Sequence, residues 1–479
     1  IDRFDTKSQT FFPVGYQTPS PDEDVNNGFD ARGSTLSSTS ITEAWTQVSK
    51  DFDTFNVEAI VKYLYEDRSF EQFSSSGSRY AVQGTRDLAA LDPSTRDIDS
   101  FSSTERAENL FLNGKIDYKD KIIVDGLVRR DGSSSFGADE RWQTYYRGSI
   151  AYRLTEDIEI PNVQELKIRA SYGTSGIRPP FSAQYETYSA TATGIAPQVL
   201  GNANLRPSAA AETEIGLNVG FLNRVNLESN YAVTQDTDDY YPVPLSSAAG
   251  FSAQWQNIGE LESSAFEVAL GGQALKTQDV TLNTNVTFSR VRQEYTDLGN
   301  LPPFTRDIAL DGADPALSLF RVEEGVSYGA IFGNQLATSI SDLTVDADGN
   351  VLNAGGGTVD DYTVNSDGYV ILAGTEGSEE ERPVYVVDEN GEQAVVQIGD
   401  TQPDFTVGFS SDFTYKGFGV YALLDWTQGG DVYNYTKQLL YFNNRHQDLQ
   451  DYAAQGKDVA YADGASSLYN GGNATSHFV

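Results

Sequence analysis

"RVNLESNYAVTQD" (residues 224–236) separates into two rows when every second residue is read. Val225, Leu227, Tyr231 and Val233 form one row, with Ser229 its soft spot, and Asn226, Glu228, Asn230 and Thr234 form the other. Side chains of a strand alternate between faces, so this stretch predicts a β-strand meeting an apolar medium on one side and water on the other. The pattern recurs. Ile215, Leu217, Val219 and Phe221 alternate with Glu214, Gly216, Asn218 and Gly220. Val280, Leu282, Val286 and Phe288 oppose Thr281, Asn283, Asn285, Thr287 and Ser289, and Leu166, Ile168, Ala170 and Tyr172 oppose Lys167, Arg169 and Ser171. Phe405, Val407, Phe409, Phe413 and Tyr415 oppose Thr406, Gly408, Ser410, Asp412 and Thr414. Weaker versions over 40–51, 55–70, 107–118, 121–130, 142–154, 264–275 and 418–430 bring the expected total to about twelve strands, with little helical periodicity between them.

Bulk composition narrows the setting. Asp and Glu number 69 against 33 Lys and Arg, a formal charge of -36, which repels phosphate backbones and argues against nucleic acid as a partner. Cysteine is absent, so the chain has no disulfide framework, no thiol nucleophile and no cysteine zinc site. Mean hydropathy is -0.41, and no apolar run approaches the ~20 residues of a membrane helix. A barrel strand needs only ~9–11 residues with one apolar face, so low hydropathy is compatible with a membrane barrel. The chain starts at Ile1 without an initiator methionine or a visible signal peptide, and is expected to be a piece of something longer.

The connections sort by length. Tight links are expected at Asp53-Thr54, Lys119-Asp120, Asn223-Arg224, Lys276–Asp279 and Lys416-Gly417, with a middling one over 155–163. Between them fall long links over 70–106, 131–141, 174–211, 236–263, 292–403 and from 431 onward. In an up-and-down sheet odd and even links lie at opposite ends, so all the tight turns fall at one end and all the long loops at the other. That asymmetry belongs to outer-membrane barrels. Tyr118, Phe221, Tyr415 and Phe418 flank the tight turns, where an interfacial girdle of aromatic rings would sit. The expected fold is therefore all-β: a transmembrane antiparallel up-and-down β-barrel segment with long extracellular loops. About twelve strands would make part of a larger wall.

"NLFLNGKIDYKDKIIVDGLVRRDGSSSFGADERWQTYYRGSIAYRLTED" (109–157) resembles the SusC/RagA-like TonB-dependent transporters, which carry a similar hairpin, Arg-Arg-Asp-Gly loop and aromatic-rich strand. "LKIRASYGTSGI" (166–177), "NANLRPSAAAETEIGLNVGFL" (202–222), "PLSSAAGFSAQWQNIGELESSAFEVAL" (244–270) and "PDFTVGFSSDFTYKGFGVYALLDWTQGGDVYN" (403–434) continue the likeness in order, from about residue 40 onward. "RPSAAAETEIG" departs from it, since the family often has Trp or Lys before the Glu-Thr pair. The resemblance implies the middle-to-late part of a 22-stranded barrel in the bacterial outer membrane. The family's plug, TonB box and last strands would then lie outside residues 1–479. It further implies TonB as energy source, a SusD-like surface lipoprotein as lid, outer-membrane lipid around the wall, and oligosaccharide or peptide as cargo.

Candidate sites are few. There is no nucleophile elbow, Walker loop or His-Glu-x-x-His sequence, so no catalytic group and no cofactor are assigned. His446, in "NNRHQD", reads as a loop histidine. Tyr240, Tyr241 and Trp255 lie in one long loop and are the candidate cargo-stacking residues; loop packing or contact with a lid are the alternatives. Asp346, Asp348 and Asn350 in "DADGN" have the first three spacings of a calcium loop, but position twelve is Gly357 instead of glutamate. A two-residue Asp-Gly hairpin turn is the favoured reading, and "TVNSDGYVIL" and "VVDENGEQAVV" repeat it, so 292–403 is expected to carry a small extracellular lobe of hairpins. Two rivals keep the β-rich pattern without the membrane: a secreted acidic binding or adhesion module, and a glycan hydrolase with opposed carboxylates.

Overall fold

The computed structural model describes the chain except for residues 16–26, 83, 192–193, 309–316, 379, 444 and 448–472. Part of the expected last long link therefore lies outside the described residues. Thirteen strands form one sheet whose order is the order of the chain. They are β1 (Asp2–Phe12), β2 (Phe29–Asp51), β3 (Phe55–Ser78), β4 (Asp97–Tyr118), β5 (Ile122–Ser133), β6 (Trp142–Arg153) and β7 (Val163–Ile177). Then come β8 (Ser208–Phe221), β9 (Val225–Thr237), β10 (Glu260–Lys276), β11 (Val280–Asp297), β12 (Pro403–Tyr415) and β13 (Phe418–Gly429). Their ladders run antiparallel through β1–β6 and β9–β13. A helix, α1 (Tyr435–Phe442), follows. No described helix is long and apolar enough to cross a membrane.

Two compact units emerge. The first comprises Ile1–Tyr152, Ser171–Ala211 and Asp238–Asn257. Within it the registers Val61↔Leu112, Leu112↔Val128 and Val128↔Tyr146 place apolar side chains in one continuous face. Val61, Tyr63, Leu110, Leu112, Ile116, Val124, Val128, Tyr146 and Ile150 are all between 42% and 56% exposed there. On the opposite face Asn109 is 1% exposed and Asp131 5%. This inverts the arrangement of a water-soluble sheet. Half-exposing nine such side chains to water would forgo roughly 7–13 kcal/mol, comparable to a whole domain's stability, so the outer medium must be apolar. On β3 the apolar face runs Phe55, Val57, Ala59, Val61, Tyr63 and Tyr65. At ~3.3 Å per residue and a tilt near 40° that is a band of roughly 25 Å, the height of a lipid-facing belt.

The second unit comprises Arg153–Ala170, Glu212–Thr237 and Ile258–Val479. Tyr231 lies opposite Phe266 and Leu227 opposite Leu270, then Val286 opposite Phe409 and Phe409 opposite Leu424. Ile215, Tyr231, Leu424 and Trp426 on that face are 50% exposed or more. In the 224–236 stretch Asn226 and Glu228 are exposed and Leu227 is half-covered, so neither row is buried in a protein core. Burial is concentrated in a lobe instead. Leu336, Tyr385, Tyr441 and Phe478 form one cluster, and Ala337, Leu343, Val351, Tyr362, Val370 and Val384 a second.

Ten of the twelve links alternate between short and long. Short ones over 52–54, 119–121, 222–224, 277–279 and 416–417 interleave with long ones over 13–28, 79–96, 178–207, 238–259 and 298–402, and the neighbouring links over 134–141 and 154–162 are both of middling length. Lys119 and Asp120, Leu222 and Asn223, and Lys416 and Gly417 all have positive φ. These are turns whose twist matches the flanking strands. The second lies one residue earlier than Asn223-Arg224, with the Arg224 N–H donating to the Phe221 carbonyl at 3.2 Å.

Three expectations are corrected. The sheet has thirteen strands, because β1 ("DRFDTKSQTFF") carries no apolar row to betray it. β2 starts at Phe29, β3 continues to Ser78 and β4 starts at Asp97, so the link placed over 70–106 is only 79–96. Above Tyr65 both faces of these strands are mostly polar, as in "SFEQFSSSGS", where Phe70 and Phe73 fall on opposite faces, and the period-two signal vanishes where the apolar belt ends. Finally, the Asp-Gly turn is longer than two residues. The Asp346 N–H donates to the Asn350 carbonyl at 2.9 Å, leaving three residues in the loop, with Gly349 at φ 86°. That extra left-handed residue accommodates the strand twist after an ordinary type I turn.

Candidate functional site

The polar face of the first unit carries a cavity of about 560 Å3. β3 brings Arg68 to it, β5 brings Arg129 and Asp131, β6 brings Tyr145, and the segment after β7 brings Arg178 and Pro180. Tyr240 closes one side. The Arg-Arg-Asp-Gly motif is thus one wall of the cavity.

Local sequence explains the shape. A Cβ on Gly137 would sit 2.2 Å from the Ala203 carbonyl oxygen, so only glycine lets the motif loop press against that segment, where the Gly137 N–H donates to the Leu205 carbonyl at 3.0 Å. A Cβ on Gly176 would meet the Tyr145 hydroxyl at 2.2 Å. Beyond it Pro179 and Pro180 restrict the chain on which Arg178 is mounted.

Charge is arranged in two groups. The Arg129 Nε donates to Asp131 Oδ1, and Arg129 Nη2 donates to Asn109 Oδ1 at 3.2 Å, an internally matched pair. Arg178 Nη1 donates to Glu66 Oε2 at 3.2 Å, and Arg68 Nη2 stands 3.2 Å from that same oxygen. Two guanidinium groups share one carboxylate oxygen. In the second unit the polar row of β7–β9 forms a comparable set: Arg169 reaches Glu214 at 2.7 Å and Glu228 at 2.8 Å, and also donates to Asn230.

Of the three aromatic candidates, two come together. Tyr240 and Trp255 lie edge to face with ring centroids 6.2 Å apart. The Tyr240 hydroxyl donates to the Arg178 carbonyl at 3.0 Å, and burial, helped by Asp239, holds its pKa above the usual tyrosine value. The Asn202 side chain donates to the Trp255 carbonyl at 2.9 Å, which fixes the strand carrying the indole. Tyr241 is the next residue on the strand Tyr240–Pro244 and presents to its other face. Arg68, Arg178 and Glu66 belong to no motif, and sequence reasoning missed them; their register became readable only with the ladders in hand.

Asp346 acts within its own turn. Its Oδ1 accepts the N–H groups of Asp348 at 2.9 Å and Asn350 at 2.8 Å, and its Oδ2 accepts Asn350 Nδ2 at 3.0 Å. Asp388 receives the N–H groups of Asn390 and Glu392 in the same way, and Asn365 those of Asp367 and Tyr369. The one-three-five spacing is therefore the spacing of a side-chain-capped turn, and an uncharged asparagine performs it equally. Among the described residues no group of three His, Asp or Glu side chains could hold a metal ion. His446 packs on the Tyr441 ring at 5.0 Å between centroids, and His477 approaches the same ring at 5.1 Å.

Comparison with known proteins agrees with this architecture. A family profile described as "TonB dependent receptor-like, beta-barrel" matches residues 2–378. TonB-dependent receptor P3 of Formosa agariphila is 26% identical over 420 residues, 83% of this chain and 39% of that protein. TonB-dependent receptor SusC of Bacteroides thetaiotaomicron is 28% identical over 204 residues, 37% of this chain and 20% of that protein. Among solved structures, the RagAB peptide transporter superposes with a TM-score of 0.68 at 17% identity, covering 92% of this chain and 46% of that one. The chain thus spans no more than about two fifths of the length of the curated relatives it matches. With an apolar outward face, a polar and charged opposite face and a profile match over most of its length, the chain belongs to the TonB-dependent receptor-like β-barrel family of the outer membrane.

Proposed function

We propose that this chain is part of the wall of a TonB-driven outer-membrane importer of oligosaccharides or peptides. Cargo passes through the barrel without covalent chemistry. The short links lie on the periplasmic side, and the long ones, with the 298–402 lobe, lie outside and meet a SusD-like surface lipoprotein. The observation that supports this best is the inversion of exposure, with Leu112 outward and 56% exposed while Asn109, three residues away and on the other face, is 1% exposed. A wall of that kind separates lipid from an aqueous bore, and the charged cavity lies on the aqueous side. The named relatives are receptors of this class, and one structural neighbour, RagAB, is a peptide transporter.

The test is uptake by cells carrying the full-length protein. Labelled oligosaccharide and peptide mixtures are offered to cells with the gene, without it, and with TonB deleted. The expected result is uptake of one mixture that disappears in both deletions. Uptake that survives loss of TonB overturns the proposal.

A further inference from the structure

Resting on that reading, we propose that the cavity beside Arg68 and Arg178 recognises a carboxylate on the cargo. The geometry carries it. Each guanidinium has five N–H donors, and in this pair each directs one nitrogen to the same oxygen, Glu66 Oε2, at 3.2 Å. One carboxylate oxygen cannot saturate two planar forks. An incoming carboxylate would accept two parallel N–H bonds from either fork, the arrangement that makes arginine the preferred partner of such groups.

The setting favours this over a casual surface contact. Arg178 is only 23% exposed at its side chain, and its backbone is held by Pro179, Pro180 and the Tyr240 hydroxyl, so little freedom is lost on binding. Phe136, Tyr145 and Tyr240 wall the cavity with rings and lower the local dielectric, which strengthens a charge-assisted bond. Arg129 differs in having its own carboxylate, Asp131, and it also donates to Asn109, so its charge is already matched. Glu105 stands opposite Arg68 in the β3–β4 ladder, and with Glu66 it disfavours a densely charged polyanion. The fit is to an isolated carboxylate flanked by neutral groups. A uronic acid residue in an oligosaccharide and the C-terminus of a short peptide both present that group, and a cavity of about 560 Å3 admits either.

The test uses the full-length protein in detergent with its lipoprotein partner. Four probes are titrated: a trimeric uronic acid oligosaccharide, its carboxyl-reduced neutral form, a tripeptide, and the same tripeptide amidated at its C-terminus. Within the pair that binds, the free acid is expected to bind roughly tenfold more tightly than the neutralised form. Which pair it is identifies the source of the carboxylate. Arg178→Gln and Arg68→Gln are each expected to remove most of that difference, while Arg178→Lys keeps a charge without the fork and restores only part of it. Heat-modifiable gel migration of each variant checks that the barrel has formed. Equal binding of acid and neutral forms, or variants that leave the preference intact, overturns the inference while TonB-dependent uptake still stands. Loss of TonB dependence with the acid preference intact would instead overturn the transport reading alone.

Discussion

Asn109 and Leu110 are consecutive residues of β4 and meet opposite surroundings: the first is 1% exposed and receives Arg129, the second is 52% exposed on the apolar face. A polar side chain inward and an aliphatic one outward is stable only where the outer medium is lipid. Several measurable consequences come from that inversion and from the features built on it.

Leu112→Arg places a charge near the middle of the apolar band. The expected cost is about 2–4 kcal/mol, the range for cationic residues at a bilayer midplane. Asn113→Gln, one residue along and on the polar face, should cost far less. Urea titration of the full-length protein folded into lipid vesicles reads both.

Gly137→Ala should displace the motif loop, since the new methyl would lie 2.2 Å from a backbone carbonyl that cannot swing aside. Loss of ligand binding without loss of the heat-modifiable barrel is the expected outcome. Unchanged binding would mean that the loop does not shape the cavity.

Tyr240→Ala removes the hydroxyl that holds the Arg178 carbonyl and the ring that packs on Trp255. Ligand affinity should fall roughly tenfold, the order expected for one hydrogen bond plus an aromatic contact. Tyr241→Ala, on the other face of that strand, should fall much less. Isothermal titration of the two variants side by side makes the comparison.

Asn365 is almost fully buried and donates to Glu381 at 2.6 Å, while Glu381, with no exposed surface, also accepts the Gly377 N–H at 2.5 Å. Asn365→Ala strips a buried carboxylate of one of these donors and removes the cap of its turn. Destabilisation of the lobe by about 2–4 kcal/mol is expected. Hydrogen exchange over 330–400 in the full-length protein measures it.

The Asn350 side chain, with backbone N–H groups, holds the Asp346 carboxyl below its usual range, and the Glu392 and Asn390 N–H groups do the same for Asp388. A folded-state pKa depressed in this way gives stability that is full above the unfolded value near 4 and is lost as pH falls through the lower folded value. These two hairpin tips should stay closed down to about pH 4 and loosen below it. The Asn365 side chain, which caps the third tip, has no proton of its own to gain, although it donates to the Glu381 carboxyl. Protection of the Asn350, Glu392 and Tyr369 amides, corrected for intrinsic exchange, should diverge only in that acid window.

The wall was legible in the sequence wherever one face meets lipid, because Leu227, Val286 or Phe409 must then recur at every second place. Where β2, β3 and β4 rise past the band, Ser37, Ser69 and Ser102 meet water on either face and nothing in their order marks a strand. The cavity was legible in part. Arg129 and Asp131 sit in a recognisable motif, and Tyr240 stands out as an aromatic in a polar loop. Arg68 and Arg178 are separated by four intervening strands, and their meeting at Glu66 depends on strand register, which no local pattern encodes.

Because Asn365 accepts the same pair of backbone N–H groups at its turn that Asp346 and Asp388 accept at theirs, the shape of these tips needs an oxygen acceptor and not a charge, and the minus sign only adds to their stability. Exchanging both aspartates for asparagine would leave the same hairpins on a less electronegative knob. What the knob would lose is its repulsion of similarly charged neighbours in the cell envelope, and that trait can be tuned without touching the architecture beneath.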